Sequence, residues 1–529
     1  MAQKIKSASI ISAAFAVLLS IRIGFIINDG NITKAAAGRG SYTVRSASAG
    51  GMIYDRTMTG LVNQGVKLEA VVNPNDQSAL IVFPYVADYD RFYSGVRGNL
   101  PFLCEITSDE PESYGVTVFR NAARYSENQP AQHIIGYTSD NVGVTGIERA
   151  FDELLRGSVA VSTARYSVNA VGGVLNGLGA DIVRVPESPA GVVTTIDSQI
   201  QEVAETALRN SGYSKGAVVI MDVFSGDILA CVSSPGFSAA DVGSYLDSQD
   251  ANFINRAFSA YSVGSVFKLV TVAAALEIGI SPEYIHNCGG YIHIGDVTFN
   301  CHKWGGHGEL NMQGAIAESC NTYFIEISEF IGRDVFVETA SALGFGESTE
   351  LCFGMNTAAG YLQTPLDISI PAERANMSFG QGKLTATPLQ VCRMTAAIAN
   401  GGILPEPKLI KGTVDDSWLY TAMDSESAKR RALSVETAEI LKEFMVNTVM
   451  REASLSRPYY TKAAGKTSTA QTGVMKEDGS EVMNCWFTGY FPTVNPQYAV
   501  TVFIEDGYSG NISASPVFRE IADGVTNLN

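Results

Sequence analysis

The alternation of apolar and polar positions divides the chain into segments of different kinds. Residues 7–27 are apolar apart from small Ser and Gly residues and Arg22, close to the roughly 20 residues that cross a bilayer as a helix. Residues 28–50, rich in Ala, Gly, Ser and Thr, predict a flexible stalk. From 52 to 186, short strand-like runs such as 79–83 are interrupted by loops and by one helical stretch near 146–155. Beyond them, 192–197 lead into a helix over 198–210. A hairpin follows, with strands 216–223 and 228–232 joined by the turn Phe224-Ser225-Gly226-Asp227. Further helices are predicted over 266–278, ending at Gly279, and over 312–318. A helix over 435–450 places Ile440, Leu441, Phe444 and Met445 on one face. Strands at 466–471, 486–490 and 498–504 and a short helix from Pro516 close the chain. The expected fold class is α+β: an N-terminal transmembrane helix, a mixed domain, and a C-terminal domain of helices packed on an antiparallel sheet.

A chain of 529 residues needs more than one core. Its 46% hydrophobic and 17% charged residues suit a folded protein. A net charge of −17 excludes nucleic acid as a partner, because phosphate binding requires a basic face. Lys4 and Lys6 precede the apolar run and predict a cytoplasmic N-terminus with the remainder exported; Arg22 can snorkel to the headgroups. A signal peptide cleaved at Ala35-Ala36-Ala37 is the competing reading, but the run exceeds the usual length of such a segment.

Three short motifs carry candidate chemistry: Ser265-Val266-Phe267-Lys268, Ser319-Cys320-Asn321 and Lys466-Thr467-Ser468. Each alone is weak; their order and local structure give them weight. Ser265 opens a helix, where the dipole favours a developing anion, and Lys268 at i+3 shares its face. A serine hydroxyl needs a base to become a nucleophile. A lysine serves only when neutral, which desolvation or a second cation such as Lys466 achieves. Ser319 and Asn321, spaced i, i+2 where a helix gives way, can face one cavity as proton relay and amide holder. Strand alternation sends Lys466 and Ser468 to one face and Thr467 to the other. The cation and hydroxyls suit a substrate carboxylate, and the backbone N–H groups of Thr469 and Ser265 suit an oxyanion.

Together these motifs resemble those of the class B penicillin-binding proteins, serine acyltransferases of the superfamily that includes serine β-lactamases. Gly51-Met52-Ile53-Tyr54-Asp55-Arg56 is similar to a signature of the family's non-catalytic pedestal. Residues 143–152 with Leu155-Arg156-Gly157, Thr195-Ile196-Asp197, residues 216–222, Gly380-Gln381-Gly382 and Thr387-Pro388 add further matches. The resemblance covers about residue 50 to the end. It implies a cytoplasmic tail (1–6), a transmembrane anchor (7–27), a stalk (28–50), a pedestal (51–186) and a β-lactamase/transpeptidase-like domain (187–529). It also implies a single-pass cell-membrane protein with an extracytoplasmic peptidoglycan D,D-transpeptidase that cross-links stem peptides through a serine acyl-enzyme and is acylated by penicillin. Ser265 is then the nucleophile, Lys268 the base and Ser319 the relay. Asn321 orients the donor, Lys466, Thr467 and Ser468 bind its carboxylate, and Thr469 completes the oxyanion hole. A separate membrane glycosyltransferase is the implied partner, and no cofactor is expected. A D,D-carboxypeptidase or β-lactamase-like hydrolase with the same residues, or an inactive penicillin-binding scaffold, are the rival readings.

Two positions depart from the family pattern. Gly50 stands where arginine is usual. Ser468 replaces the glycine of the usual Lys-Thr-Gly, and is expected to narrow the substrate's approach while adding a donor. Among the eight cysteines, Cys104, Cys231, Cys352, Cys392 and Cys485 read as core residues. Cys288 and Cys301 lie with His286, His293, His302 and His307 between the first two motifs. A Cys288–Cys301 disulfide is the favoured reading. A Cys301–Cys320 redox pair or free thiols come second and zinc third, because the spacing matches no common zinc module; no metal is expected.

Overall fold

The computed structural model describes residues 16, 17, 19, 20, 22, 40–169, 173–423, 430–451 and 454–528. The expected tail and most of the expected anchor lie outside them. Among the described residues, no helix is long and apolar enough to cross a membrane.

The chain forms two compact units that interleave in sequence. Among the described residues, one takes those up to 50 together with 63–124 and 159–188. Within it, Ser41–Ala47 pairs antiparallel with Val161–Ser167, which pairs in turn with Ala180–Val183. A second sheet centres on Gly65–Val72, flanked by Phe102–Ile106 and Val118–Ala123. Two expectations are corrected in this unit. Residues 41–47 are a strand and no stalk: Val44 and Ser46 alternate inward, and the Ser46 hydroxyl donates to Glu69 Oε2 at 2.7 Å. Residues 79–83 are no strand: Ser78–Val82 is a helical turn running into a 3₁₀ turn. Its entry is set by Asp76, whose carboxylate accepts the Ser78 N–H at 2.7 Å, a local bond that outweighs β-branched propensity.

The other unit takes 51–62, 125–158 and 189–529, so the expected linear boundary at 186/187 does not divide the units. The reason is non-local pairing: Met52–Tyr54 runs parallel to Gly191–Thr194 in one sheet. Asp55 clamps the join, accepting the N–H and hydroxyl of Ser198 on one carboxylate oxygen and those of Thr57 on the other.

The main sheet of this unit is antiparallel. Its strands are β1 (Gly216–Asp222), β2 (Ile228–Ser234), β3 (Ala464–Met475), β4 (Glu481–Phe491) and β5 (Tyr498–Glu505), in the order β2-β1-β5-β4-β3. Asp222 makes the β1–β2 turn by accepting the N–H groups of Phe224 and Ser225. Seven helices matter for the site: α1 (Ser198–Asn210), α2 (Lys268–Glu277), α3 (Met312–Glu318), α4 (Asn321–Phe330), α5 (Pro388–Ala399), α6 (Val435–Val449) and α7 (Ser515–Thr526). Asp197 caps α1 by accepting the N–H groups of Gln199 and Ile200.

Alternation along β1 sorts the two cores. Val218 and Ile220 pack with Leu208 of α1 and Phe518 and Ile521 of α7. Ala217, Val219 and Met221 face the core that holds Leu269 and Val272 of α2, Leu389 and Cys392 of α5, and Leu441 and Met445 of α6. Helices thus cover both faces of one sheet, the α+β arrangement expected.

Candidate functional site

Ser265 sits in a 3₁₀ turn, Gly264–Phe267, that continues into α2. The turn is pinned from outside by the Gly264 N–H, which donates to the Gly380 carbonyl at 2.8 Å. Gly380 has φ of 80°, and a Cβ there would stand 1.9 Å from the Gly264 carbonyl oxygen. Only glycine permits that approach, which brings Gln381 to the same cleft as Ser265.

Lys268, the first residue of α2, is fully buried. Its Nζ donates to the Ser319 carbonyl at 2.7 Å, the Ser319 hydroxyl at 3.1 Å and Asn321 Oδ1 at 2.7 Å, and it stands 5.4 Å over the Phe324 ring. Ser319 caps α3 in the left-handed region, at φ 54° and ψ 39°. A non-glycine residue held there is strained, and the turn lets both its carbonyl and its hydroxyl face Lys268. Lys466, on β3 and 1% exposed, donates to the same Ser319 hydroxyl at 3.2 Å and to its neighbour's carbonyl, Thr467 O, at 2.9 Å.

Burial pushes the Lys268 ammonium well below the ordinary lysine range, and the charge of Lys466 pushes the same way. Burial alone brings Lys466 down to about 7. No carboxylate touches either amine in these bonds, so two lysines share one hydroxyl in a dry environment. This is a setting for proton transfer, since burial shifts both amines toward the neutral form.

Ser265, Ser319, Asn321, Thr467, Ser468 and Thr469 all line one cavity of about 430 Å³, and the two buried lysines reach it through their bonds to the Ser319 hydroxyl. All eight residues expected from the three motifs are therefore brought together. Along β3, Lys466 and Ser468 are buried while Thr467 and Thr469 are half-buried. The Ser468 hydroxyl has a partner within the protein: it donates to the Val263 carbonyl at 2.8 Å. The Thr469 hydroxyl is also engaged, accepting the Gly510 N–H at 3.0 Å. His302, Gln381 and Asn511 line the cavity too. They were not singled out for it from sequence; the glycines on either side of Gln381 are the signal that marks its presentation.

All eight cysteines are free thiols, so the expected Cys288–Cys301 disulfide is not formed. Cys288, Cys301, Cys320 and one ring nitrogen of His307 instead place their ligand atoms within 4.8 Å of one another. This arrangement can hold a metal, contrary to the expectation of none.

The family description "Penicillin binding protein transpeptidase domain" matches residues 216–523. The chain is 28% identical over 437 residues to Stage V sporulation protein D of Bacillus subtilis, covering 78% of this chain and 65% of that protein. It is 29% identical over 426 residues to peptidoglycan D,D-transpeptidase PbpA of Mycolicibacterium smegmatis, covering 76% of this chain and 83% of that one. Among solved structures, penicillin-binding protein A of M. tuberculosis as a ceftriaxone acyl-enzyme is 25% identical. It matches with a TM-score of 0.63 over 79% of this chain and 94% of that one. A chain of a peptidoglycan synthase complex that coordinates polymerization and crosslinking shares the fold, with a TM-score of 0.70, 24% identity and 99% of both chains covered. With more than half its length matched by that one description, and its three motifs converging on one cleft, the chain belongs to the penicillin-binding protein transpeptidase family.

Proposed function

We propose that this protein is a serine D,D-transpeptidase that cross-links peptidoglycan stem peptides, and that β-lactams acylate it at Ser265. The observation that carries the reading is the Ser319 hydroxyl held between two buried lysines, 3.1 Å from Lys268 Nζ and 3.2 Å from Lys466 Nζ. A charged Lys268 uses all three protons on its three oxygen acceptors. A neutral one has only two, and its lone pair can take the proton of Ser265 as that oxygen attacks the D-alanyl-D-alanine carbonyl. The Ser319 hydroxyl then lies on the path that returns a proton to the departing D-alanine amine. Lys466, in its charged form, and Thr467 bind the donor's carboxylate, while Asn321 orients its peptide. The backbone N–H groups of Ser265 and Thr469 stabilise the oxyanion. A second stem peptide's amine resolves the acyl-enzyme.

The apolar run 7–27 anchors the chain in the membrane with the two units outside. A separate membrane glycosyltransferase supplies the glycan strands. The relative named as a D,D-transpeptidase and the related acyl-enzyme structure support the chemistry.

The test is labelling of the wild-type protein and Ser265→Ala by a fluorescent penicillin, followed by gel and intact mass. A stable adduct on the wild type that is absent from a folded Ser265→Ala supports the reading. Rapid turnover of the label assigns a hydrolase instead, and no label on folded wild type refutes acylation.

A further inference from the structure

Between the segments that carry Ser265 and Ser319 lies a loop region whose chemistry the acyl transfer does not use. Cys288 ends a short strand, His286–Cys288, that pairs with Gly308–Leu310. Cys301 follows the hairpin strand Val297–Asn300, and its N–H donates to the Gly290 carbonyl at 2.8 Å. Cys320 caps the start of α4. Residues from three separate segments thus bring their sulfurs to one point, and all three cysteines are buried, at 1%, 8% and 0% exposure. His307 joins them through a turn that only glycine permits: a Cβ at Gly306, where φ is 82°, would lie 2.0 Å from the Cys288 carbonyl oxygen.

The separations are those of a coordination sphere. Zinc bonds of about 2.3 Å to sulfur and about 2.0–2.1 Å to nitrogen give a tetrahedron with S···S edges of about 3.8 Å and S···N edges of about 3.5 Å. Here Cys301 Sγ is 3.9 Å from Cys320 Sγ and 3.5 Å from His307 Nδ1. A disulfide would need the sulfurs at about 2.05 Å. The other ring nitrogen of the half-buried His307 is shielded from solvent with no hydrogen-bond partner, so the ring's one polar contact among the described residues is the one it makes with Cys301 Sγ.

The surroundings are also those of a ligand set. Thr322 Oγ1 lies 3.3 Å from Cys320 Sγ and 2.9 Å from His286 Nε2. His286 Nδ1 is in turn 2.8 Å from Glu326 Oε2. A carboxylate, an imidazole and a hydroxyl in series therefore orient one thiol, the kind of outer support that metal ligands carry. The same bonds satisfy both His286 nitrogens and remove that ring from the candidate ligands. His302, 4.0 Å from Cys301 Sγ, lines the catalytic cavity.

We propose that Cys288, Cys301, His307 and Cys320 form a Cys3His site for zinc that fastens the Ser319–Asn321 segment to the wall of the catalytic cleft. Thiolates and imidazole select zinc over magnesium or calcium, and four protein ligands make the site structural, with no open position. Each thiol gives up its proton on binding. The consequence for the cleft follows from sequence adjacency: Cys320 lies between Ser319 and Asn321, which together supply all three acceptors of Lys268. Asn321 Nδ2 also reaches the carbonyl of Asn300, next to Cys301, at 3.4 Å. The ion therefore acts through position, holding the relay and the donor-orienting amide.

The test uses the full-length protein purified in detergent under reducing conditions, with metal measured by elemental mass spectrometry. One equivalent of zinc per chain is expected. Replacement of the zinc by cobalt(II) should give the intense d–d bands and the thiolate-to-metal charge-transfer band of a tetrahedral thiolate site. Cys288→Ser and His307→Ala should lose that spectrum. Thr322→Val, which keeps all four ligands, should bind roughly tenfold more weakly. Ser265→Ala should bind metal as the wild type does, so this outcome is independent of the acylation test. The proposal is overturned if folded, reduced wild type takes up neither ion stoichiometrically. Cobalt spectra unchanged in both ligand variants overturn it equally, as does a metal-free native state carrying a Cys301–Cys320 disulfide. Should the variants not fold, the wild-type cobalt spectrum decides.

Discussion

The hydroxyl of Ser468 is hydrogen-bonded at 2.8 Å to the carbonyl oxygen of Val263, two residues before Ser265. It ties β3 to the turn that presents Ser265, on the buried side of the strand. The family usually has glycine at this position, which leaves such a carbonyl without that donor. Ser468→Gly removes a buried hydrogen bond and adds backbone freedom to β3, a loss of about 1–2 kcal/mol. Acylation by penicillin should slow several-fold through the chemical step, with initial binding little changed, because the altered contact lies behind Ser265. Stopped-flow labelling and urea unfolding check both; equal rates and equal stability would falsify the tether.

The two lysines predict a bell-shaped acylation profile. Lys268 acts when neutral, so protonation at acid pH removes the base; burial first and then the charge of Lys466 lower its pKa and shift it toward that neutral form. Lys466 acts when charged, and burial sets its pKa at about 7, so the rate should fall as pH rises through that value. Lys466→Arg stays charged throughout and should lose the alkaline limb while retaining the acid one. Rate constants of acylation between pH 5 and 9 measure this, and an unchanged alkaline limb in the arginine variant would assign it to another group.

Much of this site was readable from sequence, because it rests on local chemistry. Asp197 caps α1 and Asp222 turns β1 into β2 through bonds spanning three residues or fewer, and periodicity fixed β3 to β5. The three motifs could be brought together because a resemblance supplied their long-range relation. Apart from the helical turn at Ser78–Val82, set by the local bond to Asp76, what was misread depended on distant pairing. The parallel contact of Met52–Tyr54 with Gly191–Thr194 moved a supposed pedestal signature into the other unit. Ser41–Ala47 became a strand only by pairing with Val161–Ser167. The partner of the Ser468 hydroxyl required knowing which side of β3 meets the Val263 carbonyl. Cys288, Cys301, His307 and Cys320 come from three segments at no standard spacing, so only the fold reveals their convergence.

Burying the lysines also costs stability, with a definite pH dependence. Lys466 ionises near 7 when folded and near 10.5 when unfolded. Between those values the unfolded chain holds more protons, so stability rises with pH across that window, by up to about 1.4 kcal/mol per pH unit for each such lysine. Lys466→Met should therefore be more stable than wild type at pH 7, with a flatter pH dependence, while acylation is lost. Urea unfolding at pH 7 and pH 9 tests the pair of statements. A methionine variant less stable at pH 7 would show that the hydrogen bonds of Lys466 outweigh its desolvation.

Asp55 makes the opposite case, a buried charge that stabilises. Its carboxylate is 1% exposed. It accepts from Ser198 at 2.7 and 3.2 Å, from Thr57 at 2.7 and 2.8 Å and from the Thr59 N–H at 2.9 Å. Burial raises its pKa, but the bonds from Ser198, Thr59 and Thr57 together outweigh burial and the net shift is downward. A depressed folded pKa contributes stability that is present above the unfolded value of about 4 and is lost as pH falls through the folded value. Asp55→Asn keeps the shape but presents an NH2 group to donors that need an acceptor. The expected cost is about 3 kcal/mol at pH 7, shrinking as the wild type itself is protonated at low pH. Because Asp55 joins residues 51–62 to the start of α1, the loss should appear first as faster amide hydrogen exchange in 52–60 and 198–202. Uniform exchange across the unit, or an unchanged unfolding midpoint, would remove Asp55 from this role.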